Sequence, residues 1–80
     1  MSSQIPAAER DGLSRATDVR VLLGPRGGVR FVCYTTQYRG APYSTSVGED
    51  YDWGRKRQKV LIAFFRSIGT PIKTEPFKLR

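Results

Sequence analysis

The stretch Asp18–Cys33, DVRVLLGPRGGVRFVC, decides how this chain folds. Val19, Val21 and Leu23 share one parity, Gly24-Pro25-Arg26-Gly27-Gly28 breaks the run, and Val29, Phe31 and Cys33 share one parity again. Period-two alternation on both sides of a glycine and proline break is the pattern of a β-hairpin. A connection over 24–28 sets Leu23 opposite Val29, Val21 opposite Phe31 and Val19 opposite Cys33, which gathers the large apolar groups on one face. The other face then carries Arg20, Leu22, Arg30, Val32, Tyr34 and Tyr38, a mixed aromatic and basic surface.

Downstream, Tyr38-Arg39-Gly40-Ala41-Pro42 reads as the next turn and Tyr43–Val47 as a short third strand. A helix follows. Trp53, Val60, Leu61, Phe64, Phe65 and Ile68 fall within one arc at a spacing of 3.6 residues, and Arg55, Lys56, Lys59 and Arg66 cluster on the opposite side. Trp53, Phe64 and Phe65 are expected to cover the hairpin, which keeps this face off any membrane. Asp50 and Asp52 sit where carboxylates favour the positive end of a helix, while Ser46 with Glu49 would instead cap a start near residue 47. Gly69 and Pro71 end the helix. Thr70–Leu79, interrupted by Pro76, is an edge strand or an extended tail.

Upstream, residues 1–17 hold Pro6, a helical hint at Ala7-Ala8-Glu9-Arg10 and then Gly12, which reads as a flexible arm or a short helix. The expected architecture is α+β. An antiparallel hairpin or three-stranded sheet packs on one C-terminal amphipathic helix, with a short edge strand or tail after it. Residues 18–80 form the single domain and residues 1–17 precede it.

Charge separates the two parts of the chain. Residues 1–53 carry six arginines against Glu9, Asp11, Asp18, Glu49, Asp50 and Asp52 and are neutral. Residues 54–80 carry Arg55, Lys56, Arg57, Lys59, Arg66, Lys73, Lys78 and Arg80 against Glu75 alone, and hold the whole net charge of +7. Such asymmetry implies attraction to a polyanion or to an acidic protein surface, weakened by salt.

The same inventory bears on chemistry. The chain of 80 residues buries only about 60% of its unfolded surface, which leaves little room for a deep catalytic cleft. With no histidine and one cysteine, the common zinc sites, the Ser-His-Asp triad and the Cys-His pair are unavailable within one chain. No enzyme activity, cofactor or metal is therefore expected. Cys33 lies in an alternating apolar run and reads as a buried packing thiol. Glu49, Asp50 and Asp52 beside lysines could hold a divalent cation, but helix capping accounts for them better. The glycine loop at 24–28 lacks the Lys-Ser/Thr ending of a phosphate-cradling loop and enters a strand, so it reads as a turn. No apolar run reaches the roughly 20 residues of a membrane span, and the N-terminus has no secretion-signal pattern. No membrane partner and a cytoplasmic location are expected.

Two groups of side chains fit a binding role. The helix cations Arg55, Lys56, Lys59 and Arg66, with Lys73, Lys78 and Arg80 nearby, suit phosphate contacts. Tyr34, Tyr38 and Tyr43, interleaved with Arg30 and Arg39, suit base stacking or the anchors of a protein interface.

The size, the hairpin-plus-helix order of residues 18–69 and the lone basic patch resemble the small proteins of phages and mobile elements, anti-CRISPR proteins among them. That resemblance implies an inhibitor that docks on a surveillance complex or another nucleic-acid-handling enzyme and blocks substrate access. Direct binding of DNA or RNA by the basic helix face is the alternative. The residues expected to serve either role are Arg30, Tyr34, Tyr38, Arg39, Arg55, Lys56, Lys59 and Arg66.

Overall fold

The computed structural model describes residues 5–49 and 51–78, with residues 51 and 52 described by their backbone alone. The fold is α+β, as the alternation and helical periodicity predict. Its elements are α1 (Ala7–Leu13), β1 (Thr17–Leu23), β2 (Val29–Tyr38), β3 (Ala41–Gly48), α2 (Tyr51–Ser67) and β4 (Ile72–Pro76). They form one four-stranded sheet in the order β3-β2-β1-β4. β1 and β3 run antiparallel to β2, and β4 lies parallel to β1 at the edge. Thus α2 carries the chain from one edge of the sheet to the other. Leu61 and Phe65 of α2 share a core with Leu13 of α1 and with Val19, Val32 and Tyr34 of the sheet, which places both helices on one face.

Local chemistry explains the turns. Pro25 enters a turn in which Gly27 takes φ +83°, its N–H donates to Gly24 O at 2.9 Å, and Gly24 N donates to Gly28 O at 2.8 Å. At the second hairpin, Arg39 and Gly40 both have positive φ, 53° and 80°, the requirement of a two-residue turn that follows sheet twist. The end of α2 satisfies its last carbonyls in a Schellman arrangement. Gly69, at φ +78°, donates to Arg66 O, and Thr70 N donates to Phe65 O at 2.9 Å.

The hairpin register departs from the expectation after its first pair. Leu23 does face Val29, but the next pairs are Leu22 with Phe31, Val21 with Val32 and Arg20 with Cys33. Arg30 is the extra residue of a bulge, and one extra residue reverses the facing of everything beyond it on β2. Val32 and Tyr34 therefore enter the core, at 0% and 8% exposure, whereas Phe31 and Cys33 turn to the face that no described helix covers. Cys33 is only half-buried, its Sγ 3.4 Å from Ser46 Oγ, so it is not the interior packing thiol expected.

Gln58 holds the bulge. Its side chain is buried, and Nε2 donates to Arg30 O at 3.2 Å and to Val47 O at 3.0 Å, which ties α2 to both β2 and β3. Gln58→Ala removes the donor from both carbonyls and is expected to destabilise by roughly 1–3 kcal/mol, measurable by chemical denaturation.

The inward line of α2 is Gly54, Gln58, Leu61 and Phe65. The arc expected from periodicity placed Trp53 and Ile68 inward, yet they are exposed, and Phe64 is only half-buried. The cause is a close approach at the start of the helix: a Cβ on Gly54 would stand 2.7 Å from Gly48 O, so glycine takes the inward position and Trp53 is turned away. Gly→Ala inside a helix ordinarily gains about 1 kcal/mol. At Gly54 it is expected instead to cost roughly 1–3 kcal/mol, seen as a lower Tm, because the obstacle is a backbone carbonyl.

Before Asp18, the helical reading of 7–10 extends to Leu13, and Ile5, Leu13 and Ala16 are buried in the core. The core thus reaches into the segment set apart as residues 1–17. The third strand is longer than expected and fills Ala41–Gly48, which excludes a helix start near 47. Asp50 and the side chain of Asp52, the other expected caps, lie outside the described residues.

Candidate nucleic-acid interface

Because α2 buries residues 54, 58, 61 and 65, geometry turns Arg55, Lys56, Lys59 and Arg66 to solvent, and all four are exposed. Four acidic groups among the described residues are engaged by other arginines. Glu9 takes Arg57 at 2.9 Å, Asp11 takes Arg15 at 2.9 Å, Asp18 takes Arg20 at 3.0 Å, and Glu49 lies 3.8 Å from Arg30. Asp18 holds Arg20 through both carboxylate oxygens, and this hydrogen bonding, ahead of the charge attraction itself, raises the guanidinium pKa above its ordinary value. Among the described residues, Arg55, Lys56, Lys59 and Arg66 have no acidic partner within ion-pair distance.

The hairpin extends this surface. A cleft of about 340 Å³ lies between Gly28 and Val29 on one side and Arg55, Lys59 and Ile62 of α2 on the other, with Glu49 at its edge. A neighbouring cleft shares Gly28 and Glu49 and is lined also by Pro25, Arg26 and Arg30. Arg26, Arg30, Arg55 and Lys59 therefore surround one carboxylate at this end of the sheet. In sequence Arg26 belongs to a turn, and nothing in its local sequence shows that the loop reaches α2.

Of the other expected residues Arg30 borders the site through Glu49, whereas Tyr34, Tyr38 and Arg39 do not join it. Tyr34 is removed from the surface altogether: the Arg30 bulge turns it inward, where its ring lies 5.8 Å from that of Phe65. Arg30 is held between Glu49 and the Phe77 ring, whose centroid is 5.4 Å from its guanidinium carbon. Tyr38 and Arg39 sit at the β2–β3 turn, roughly 23 Å along β2 from Phe31 at the strand rise of about 3.3 Å per residue. There the Tyr38 and Tyr43 rings are 6.2 Å apart and about 60% exposed, and Arg39 covers Tyr38 at 5.5 Å. Lys73 and Lys78 are exposed, and Arg80 lies outside the described residues. No helix among the described residues is long and apolar enough to cross a membrane.

Fold and surface together define a small α+β protein with a cationic face on one helix that is unpaired among the described residues. No protein-family model, curated protein or solved structure matches the chain.

Proposed function

We propose that this protein binds the phosphodiester backbone of nucleic acid through the exposed face of α2, extended by Arg26 of the first hairpin. One observation supports the reading above the others. The fold pairs Arg15, Arg20, Arg30 and Arg57 with carboxylates, and leaves Arg55, Lys56, Lys59 and Arg66 exposed and unpaired among the described residues. Unpaired cations aligned on a rigid helix suit phosphates, whose neutralisation releases condensed counterions and makes affinity depend steeply on salt. Titrating labelled DNA and RNA at two salt concentrations tests this. Binding that weakens steeply with salt is expected, and no binding at low salt removes the proposal.

A second reading has its own support in the exposed Tyr38, Arg39 and Tyr43 cluster at the far hairpin. Tyrosine and arginine are the usual anchors of protein interfaces. On this reading the protein is an inhibitor that docks on a nucleic-acid-handling complex, as the resemblance to anti-CRISPR proteins implies. A nuclease-treated pull-down that recovers one protein with wild type but not with Tyr38→Ala/Tyr43→Ala would favour it over direct binding.

A further inference from the structure

We infer that Trp53 is a stacking platform for an unpaired base, so that the nucleic acid taken by α2 is single-stranded at the start of the helix. This deepens the backbone-binding proposal and rests on it. Trp53 is 67% exposed, the most exposed large apolar side chain among the described residues. Its position follows from the contact of Gly54 with Gly48 O, which holds position 54 inward and turns position 53 about 100° away.

What surrounds the indole selects the ligand. With Lys56, Arg57 and Val60 it lines a shallow cleft of about 290 Å³. Arg57 is tied to Glu9 and forms a fixed wall, while Lys56 has no acidic partner among the described residues. Along a helix, residues three apart are neighbours, so Trp53, Lys56 and Lys59 form a continuous diagonal across the exposed crest of α2. An aromatic face followed by two cations is the arrangement that binds a single strand: the base stacks on the ring and the following phosphates meet the lysines. Within a duplex both faces of a base are already covered by its neighbours, so an intact duplex gives the ring nothing to stack on.

The chain has one tryptophan, so emission excited at a wavelength that its four tyrosines do not absorb reports this site alone. The experiment titrates a short oligothymidylate, an abasic oligomer of the same length and an anionic phospholipid vesicle into the wild-type protein and follows tryptophan emission. Because Trp53→Ala and Trp53→Phe lack the reporter, their affinities and that of wild type are compared by the anisotropy of end-labelled oligomers. Strong quenching by oligothymidylate, with little by the abasic oligomer, is the expected result. Trp53→Ala should bind oligothymidylate about tenfold more weakly, Trp53→Phe should retain most of the affinity, and neither should change affinity for the abasic strand. Equal quenching by both oligomers overturns the platform, as does unchanged oligothymidylate affinity in Trp53→Ala, and either leaves backbone binding standing. An emission change with vesicles but not with oligothymidylate also overturns it. Failure of the wild-type protein to bind either oligomer at low salt removes both proposals together.

Discussion

A variant with Arg55, Lys56, Lys59 and Arg66 all replaced by glutamine is expected to bind nucleic acid roughly two to three orders of magnitude more weakly than wild type at moderate salt. Each cation that meets a phosphate contributes about 0.7–0.9 to the slope of log affinity against log salt, so the slope should become shallower by roughly 3. Stability should hardly move. The four side chains are exposed and have no ion-pair partner among the described residues, and surface changes of this kind usually stay within about 0.5 kcal/mol each. Arg15→Gln is the control, because Arg15 is paired with Asp11 at 2.9 Å and lines neither the α2 clefts nor the Trp53 cleft. Its salt slope should match that of wild type, and its stability should fall by no more than about 1 kcal/mol. A fourfold variant that keeps the wild-type affinity and slope would place binding elsewhere on the molecule.

Phe65→Ala should have the largest effect on folding. Phe65 is the largest fully buried side chain among the described residues, lies at the C-terminal end of α2, and packs its ring 5.8 Å from Tyr34 and 5.9 Å from Phe64. Truncating a buried phenylalanine costs about 3–5 kcal/mol through lost transfer energy and the cavity left behind. A domain of this length has only about 4–12 kcal/mol to lose. The expected outcome is a Tm lower by on the order of 20 °C, or no cooperative transition at all, read by calorimetry or circular dichroism. Tyr43→Ala, which removes an exposed ring of comparable size, should cost less than about 0.5 kcal/mol. Near-equal effects of the two substitutions would contradict the packing of α2 on the sheet.

Several features were readable from the chain because neighbours a few residues apart decide them. The first hairpin follows from the glycine and proline run at 24–28, down to the pairing of Leu23 with Val29. The end of α2 follows from Gly69, the residue that takes positive φ without a Cβ clash. Exposure of Arg55, Lys56, Lys59 and Arg66 follows from helical periodicity and the cost of burying charge.

Other features depend on groups that meet only in the folded molecule. The bulge at Arg30 is held by Gln58, 28 residues away, and it reverses the facing of Val32, Cys33 and Tyr34 although their alternation looks unbroken in sequence. Periodicity alone put Trp53 in the core, because the Gly54 contact with Gly48 that excludes it is a tertiary approach. Arg57 looks like its neighbours in sequence and differs only because α1 brings Glu9 to it, as Glu49 comes to Arg30. The chain by itself determined where strands, turns and helix form and which segment carries the excess charge, since those depend on short-range sterics and composition. Tertiary structure decided which side chains face outward beyond the bulge and which cations remain unpaired, since those depend on partners brought together by folding.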